Sequence, residues 1–409
     1  MNQLRCFALI GVFWHVAAAA QQPFPVSAAR LADISADIRL SRVADDTWRA
    51  DYVFSAPVSA LTMDAAGDFR RDAWTILSPG IVLANDAATN TDVVSMGGRP
   101  FQRFSVEIKS YDVAIPKAYI AVDRFSDGGR LFYLGFLGGA VASGAGSRPL
   151  TTHIVLAGRP GETALAPPQP RTGAPGAYAY FGARQPTPAG AASAIFDPAV
   201  PAWVKEAMLD TTARISRYYG QAYGRVPTPP LVMMVTMGDR SAPGLSMKGG
   251  AVGSQIAYRL GGEQFLADHP AKRAYIAQQV AHEMAHVWQQ QVARGGVGEE
   301  APWVHEGGAE AMAHDALLKT QVWTAADGAA FVARSLKRCT DEGGSFDSYD
   351  GIYACGFRQF HATGLDTAQL WRTMMRLTEQ TGEPYSPHMV EHAGKEVRQG
   401  AASTQPRAD

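Results

Sequence analysis

From about Leu31 to Ala157 apolar and polar positions alternate with a period of two. Ile34, Ala36, Ile38 and Leu40 fall on one side of such a segment, and Trp48, Ala50, Tyr52 and Phe54 repeat the arrangement. Phe104, Val106 and Ile108 follow, then the apolar runs Tyr119–Val122, Leu131–Leu134 and His153–Leu156. Alternation is what a half-buried strand requires, because successive side chains point to opposite faces of a sheet. Gly, Asn, Asp and Pro punctuate the runs, and Ser126-Asp127-Gly128-Gly129 reads as a hairpin turn. Residues 21–157 are therefore expected to form an all-β, sandwich-like domain. It holds no cluster of titratable residues that suggests chemistry, and His153 reads as an ordinary strand histidine.

The pattern then changes twice. Residues 158–196 are rich in Pro, Gly and Ala and read as a linker, to which Tyr178-Ala179-Tyr180-Phe181 can add one strand. Beyond it the period becomes helical. A helix is expected over about 202–219, short strands at Leu231–Val235 and Ser254–Tyr258, and a helix from Tyr275 to Arg294 with a Gly295-Gly296 stop. In that helix Val280, Met284 and Val287 fall at i, i+4 and i+7 and give it an apolar face. Further helices are expected at Trp303–Ala313, Phe357–Ala362 and Asp366–Thr378, the last with Trp371, Met374, Met375 and Leu377 as core positions. The fold class is thus α+β and multidomain: a β domain, then a mainly helical domain over 197–395. Residues 396–409 are polar and alanine-rich, and a disordered tail is expected there.

A chain of 409 residues has room for two or three such domains. A net charge of −1, with 18% charged residues, gives no basic excess to attract nucleic acid. Arg5, the apolar run Cys6–Val16 and the small residues Ala18-Ala19-Ala20 have the layout of a signal peptide over residues 1–20, cleaved near Ala20. The apolar run is short of the roughly 20 residues a membrane helix needs, and no later stretch reaches that length. The protein is therefore expected to be exported, periplasmic or secreted, with no membrane span after processing. Export leaves Cys339 and Cys355 as a pair in an oxidising compartment. A disulfide between them would close a loop of about 15 residues and contribute about 3 kcal/mol in the chain-entropy model.

The chemistry-bearing stretch is His282-Glu283-Met284-Ala285-His286, an H-E-x-x-H pattern on the expected helix. Two histidines four residues apart stand on one helix face, one above the other, and can hold a single zinc ion. Glu283 can reach a water on the metal without binding the metal, as a general base requires. Glu306 stands twenty residues after His286, on the next helix, and is placed to be the third protein ligand of a zinc site that keeps one position open. Glu310, one turn on, can accept the far N–H of a ligand histidine. His305 and His314 point away from the Glu306/Glu310 face and are read as non-ligands. The glycine-rich Gly249–Gly253 lacks the spacing and the strand-to-helix context of a phosphate loop.

H-E-x-x-H followed by Glu306, with an acid four residues later, resembles the gluzincin metallopeptidases, whose thermolysin family has this spacing. The wording Trp303-Val304-His305-Glu306-Gly307-Gly308-Ala309-Glu310 looks more like the W-x-x-E-G-x-A-E segment of the aminopeptidase N and glycyl aminopeptidase families. The likeness spans Val204 to Leu377 and implies a thermolysin-like catalytic domain. It implies one zinc on His282, His286 and Glu306, Glu283 as base, and a peptide or protein substrate. Those families also use a tyrosine in a Y-x-x-G context as donor to the oxyanion. Tyr353-Ala354-Cys355-Gly356 matches that context, with Tyr349 the runner-up because the spacing from Glu306 is short. One departure bears on substrate: the G-x-M-E-N strand that grips a free amine has no acidic counterpart in Gly244–Gly250. Glu263, Glu299 and Glu300 are the other acids that can serve. Aminopeptidase and endopeptidase action both stay open. So do hydrolysis of a non-peptide amide or ester and a non-catalytic binding protein that retains zinc.

Overall fold

The computed structural model describes residues 34–63, 68–111, 115, 119–143, 146–167, 176–293 and 301–403. The expected signal peptide, the Gly295-Gly296 stop, Glu299 and Glu300 lie outside the described residues. The chain forms two compact units, divided between Gln185 and Pro186.

In the N-terminal unit the elements run β1 (Ser35–Ala44), β2 (Thr47–Val58), β3 (Ala60–Met63), α1 (Phe69–Ala73), β4 (Trp74–Ile76), β5 (Val82–Asp86), β6 (Thr91–Ser95) and β7 (Phe101–Lys109). They continue as β8 (Val122–Arg124), β9 (Arg130–Tyr133), β10 (Ala140–Ser143), β11 (Gly146–Pro149), β12 (Thr151–Ala157), β13 (Thr163–Leu165) and β14 (Tyr178–Gly182). Three sheets result, ordered β12-β1-β2-β7-β4, β11-β10-β3-β6-β5 and β13-β14-β9-β8, in a sandwich-like unit. The alternation explains the first sheet. Antiparallel register pairs Ala36 with Phe54, Ile38 with Tyr52 and Leu40 with Ala50, so one face carries the apolar set. That face is buried, with Tyr52 stacked on Phe104 at 4.3 Å. The expected hairpin joins β8 to β9, and Gly128 supplies its positive φ of 92°.

Strands replace much of the expected 158–196 linker. β13 and β14 belong to the third sheet, and two further strands, β15 (Thr187–Ala189) and β16 (Ala192–Phe196), open the second unit. β14 is the strand expected from Tyr178–Phe181 and every residue of it is buried, while Pro188 sits within β15 at the sheet edge, where a strand tolerates proline.

The second unit continues with α2 (Ala202–Tyr223), β17 (Val232–Met237), β18 (Ser246–Val252), β19 (Gln255–Gly261) and α3 (Pro270–Gln289). It ends with α4 (Pro302–Lys319), α5 (Ala325–Asp341), α6 (Tyr349–Ala362), α7 (Thr367–Thr381) and α8 (Pro387–Ser403). Its sheet is ordered β15-β16-β17-β19-β18. β16, β17 and β19 run parallel, and β18 pairs antiparallel with β19 at the edge. Helix α3 starts five residues before the expected Tyr275, because His269 caps it by accepting from the Ala271 N–H and Pro270 fits its first turn. Every residue from Val280 to Gln289 is buried. A helix covered on all sides is the central helix of its unit. Part of the expected tail is corrected: α8 carries residues 396–403 in a helix, since Met389, Val390 and Ala393 anchor its first turns in the core, and residues 404–409 lie outside the described residues. No described helix is long and apolar enough to cross a membrane.

Candidate metal centre

Helix α3 projects His282 and His286 from one face, and the first turn of α4 brings Glu306 against them. The two Nε2 atoms are 3.0 Å apart. Glu306 Oε2 lies 3.1 Å from His286 Nε2 and 3.4 Å from His282 Nε2. All three side chains are buried, and among the described residues this is the one group of three His, Cys, Asp or Glu side chains with converging ligand atoms.

The donor set fits zinc. Bonds of about 2.0–2.1 Å in a tetrahedron separate neighbouring ligand atoms by roughly 3.3 Å, close to all three edges of this triangle. Two imidazoles and one carboxylate, leaving a fourth position open, are also the ligand chemistry of catalytic rather than structural zinc sites.

Electrostatics tie the triangle together. Burial works against a charged His282. Even so, the Glu306 hydrogen bond and the carboxylates of Glu310 and Glu283 raise its pKa to about 9. Burial also opposes a charged Glu306, but His286 and hydrogen bonds from both histidines hold its carboxyl well below the usual range. Glu283 is nine-tenths buried, and that burial pushes its carboxyl up, against the pull of His282, His286 and the Ala251 backbone. A raised carboxyl pKa suits a group that must take a proton and give it back.

The edge strand runs past this base. A Cβ on Gly249 of β18 would sit 2.7 Å from the Tyr258 ring and 3.0 Å from Glu283 Cγ, so glycine is what lets the strand approach α3. Of the acids considered for substrate binding, Glu263 is exposed on a short helical turn.

Outside the triangle the two histidines have different neighbours. His282 Nδ1 lies 3.5 Å from Glu310 Oε1, at ion-pair distance but beyond a good hydrogen bond. Gln278 Nε2 donates to the other Glu310 oxygen at 3.3 Å. His286 Nδ1 instead meets Gln289 Oε1 at 2.9 Å. His305 is not among the ligand atoms, as expected, yet its ring stacks on His286 with centroids 4.2 Å apart. Burial and His286 lower the His305 pKa to about 3, so it is neutral. Gln289 and His305 are the residues that sequence reasoning missed. Helical spacing could have suggested Gln289, one turn after His286. Nothing in the pattern pointed to the stack.

Both candidate tyrosines lie in the first turns of α6. The Tyr353 ring stacks on His282 at 5.5 Å and is buried, whereas Tyr349 packs on Tyr353 at 4.6 Å and is 36% exposed. Burial and the Glu306 carboxylate raise the Tyr353 hydroxyl well above its usual range, which keeps it a donor. Cys339 and Cys355 form a disulfide that ties the end of α5 to α6, two residues past Tyr353. His314 takes no part: it stacks on Phe331 at 5.5 Å.

No protein-family model matches the chain, and no curated protein matches it. Among solved structures it is similar to the aminopeptidase N family protein from Idiomarina loihiensis. That match has 12% identity and a TM-score of 0.55, and covers 92% of this chain and 74% of that one. The chain has the fold of that aminopeptidase N family protein. An M1 zinc metallopeptidase mutant from Deinococcus radiodurans matches at 14% identity and a TM-score of 0.45, over 90% of this chain and 92% of that one. Yeast LTA4 hydrolase in complex with bestatin matches at 10% identity and a TM-score of 0.45, over 92% and 67%. The likeness extends over both units of this chain, since it covers 92% of it.

Proposed function

We propose that the chain is an exported zinc-dependent peptidase in which His282, His286 and Glu306 hold the metal and Glu283 is the general base. The carrying observation is the triangle of donor atoms with a buried carboxylate one residue from the first histidine. The shared fold with an aminopeptidase N family protein supports a peptide substrate. Zinc, when bound, supplies Lewis-acid chemistry: it lowers the pKa of water and polarises a carbonyl oxygen. Glu283 takes the proton of the attacking water and returns it to the leaving amine. Tyr353 donates to the oxygen on which negative charge develops. The edge of β18, not paired to another described strand on its outer side, offers backbone groups to an extended peptide. Export rests on the pattern of residues 1–20 and on the cysteine pair, and N-terminal sequencing of secreted protein beginning near Gln21 tests it.

Cleavage without regard to a free N-terminus is the second reading. It is favoured by β18, Ser246–Val252, which carries a lysine and no carboxylate to grip an amine. Libraries of N-blocked and free-amine peptides, with and without chelator, test both. Chelator-sensitive cleavage of free-amine peptides alone gives an aminopeptidase, and cleavage of blocked peptides gives an endopeptidase. Cleavage of neither contradicts the peptidase assignment.

A further inference from the structure

Gln289 has no part in the chemistry above, yet its side chain is completely buried beside a metal ligand. Its amide sits in the middle of a hydrogen-bond relay whose direction is fixed at one end. The backbone carbonyl of His305 can only accept, and it lies 3.1 Å from Gln289 Nε2, so that atom is the amide nitrogen. The flipped amide would set two carbonyl oxygens against each other. Gln289 Oε1 is therefore an acceptor facing His286 Nδ1 at 2.9 Å, and Nδ1 must carry the hydrogen. With the hydrogen held on Nδ1, it is Nε2 that gives up the proton it shares with Glu306 and offers a lone pair when a metal binds. Nε2 is the atom that faces His282 and Glu306. His305 constrains the same ring a second time, because its own ring lies over His286 with only 18° between the planes.

We propose that Gln289 and His305 are positioning residues for His286. The carbonyl-to-amide relay selects the tautomer whose Nε2 can bind a metal, and the stacked ring holds the imidazole plane. The inference rests on the zinc reading of the triangle. It also gives the two ligand histidines different supports. His282 has the Glu310 carboxylate behind it, whereas His286 has a neutral amide, which fixes the tautomer without adding a negative charge to the site. An amide can do this only while its nitrogen is held, and the His305 carbonyl holds it.

The test is zinc affinity by chelator competition on the full chain, with thermal melting of the metal-free proteins as the check on folding. Gln289→Leu keeps much of the volume and removes the acceptor, and it is expected to weaken zinc binding about 10- to 100-fold. His305→Phe keeps both the backbone carbonyl and a flat ring, and is expected to stay near the wild-type affinity. His305→Ala loses the stack and is expected to fall below His305→Phe. Unchanged affinity in Gln289→Leu overturns the relay, and a collapse in His305→Phe overturns the stacking role. Should Gln289→Leu fail to fold, histidine ¹⁵N spectra of the zinc-loaded wild-type chain decide. Nδ1 protonated and Nε2 coordinated is expected for His286, and the reverse overturns the proposal. Affinity is read without substrate. A chain that binds zinc this way but cleaves no peptide contradicts the proposed activity alone, and one that binds no zinc overturns both.

Discussion

Gly307 of α4 and Gly356 of α6 meet backbone to backbone. A Cβ on Gly307 would lie 2.3 Å from the Gly356 Cα, and one on Gly356 would lie 2.8 Å from the Gly307 Cα. The crossing sets the spacing of the site, because Glu306 precedes Gly307 directly and Tyr353 sits one turn before Gly356. The glycine of the Tyr353-Ala354-Cys355-Gly356 segment thus has a steric reason: it lets the tyrosine's helix come close enough to reach the ligand helix.

Gly356→Ala forces these helices apart. It is expected to destabilise the protein by about 1–3 kcal/mol, the usual range for overpacking, and to lower turnover by moving Tyr353 from His282. Gly220→Ala on α2 is the contrast. Its Cβ would make an ordinary 3.4 Å contact with Val226, so a gain of up to about 1 kcal/mol is expected from helix propensity. Denaturant unfolding of both variants checks the pair, and equal effects would contradict the close crossing.

In the proposed mechanism Tyr353 is a donor to transition-state charge, so Tyr353→Phe is expected to lower kcat about 10²- to 10³-fold with little change in KM. Tyr349→Phe, at a hydroxyl on the more exposed ring, is expected to cost far less. Steady-state kinetics on one peptide substrate separates the two, and the opposite ranking would exchange their roles.

The disulfide encloses both tyrosines. Replacing Cys339 and Cys355 together by Ala is expected to cost about 2–4 kcal/mol, read by thermal or denaturant unfolding. It is also expected to lower turnover, because the start of α6 is then held at one point fewer. Native protein should show no free thiol at either position.

Asp366 provides a pH test away from the metal. Burial works against its charge, but Lys319 at 2.7 Å and the Gln369 N–H at 2.8 Å, the cap of α7, hold its pKa below the usual 3.8. A lowered carboxyl pKa stabilises the fold above the unfolded value and loses that contribution as pH falls through the folded one. Asp366→Asn is therefore expected to be less stable than wild type at neutral pH, with the gap closing below about pH 4. The carboxylate is 39% exposed, so the gap is small, within about 1 kcal/mol. Melting curves from pH 3 to 7 check this, and a gap that persisted at pH 3 would contradict it.

Much of this was legible in local patterns. Period two put Ala36, Ile38 and Leu40 on one face of β1 and Ala50, Tyr52 and Phe54 on one face of β2, and i, i+4 spacing put His282 and His286 on one face of α3. What escaped was set by contacts far apart in sequence. Gln289 matters only because α4 brings the His305 carbonyl to it, and the His305 ring matters only because the same crossing lays it on His286. Within the expected linker the aromatic run Tyr178–Phe181 was legible as a strand and became β14, whereas β13, β15 and β16 are only three to five residues long and too short to show a period. The end of α8 escaped because a polar, alanine-rich sequence is equally compatible with a helix once its first turns are anchored.

Glu283 as the base of a zinc-dependent hydrolytic site is the proposal on which the other roles depend. The most direct test is zinc content and peptide turnover measured together on Glu283→Gln. About one zinc per chain is expected, as in wild type, with turnover at least about 100-fold lower. Retained turnover with zinc bound would contradict it.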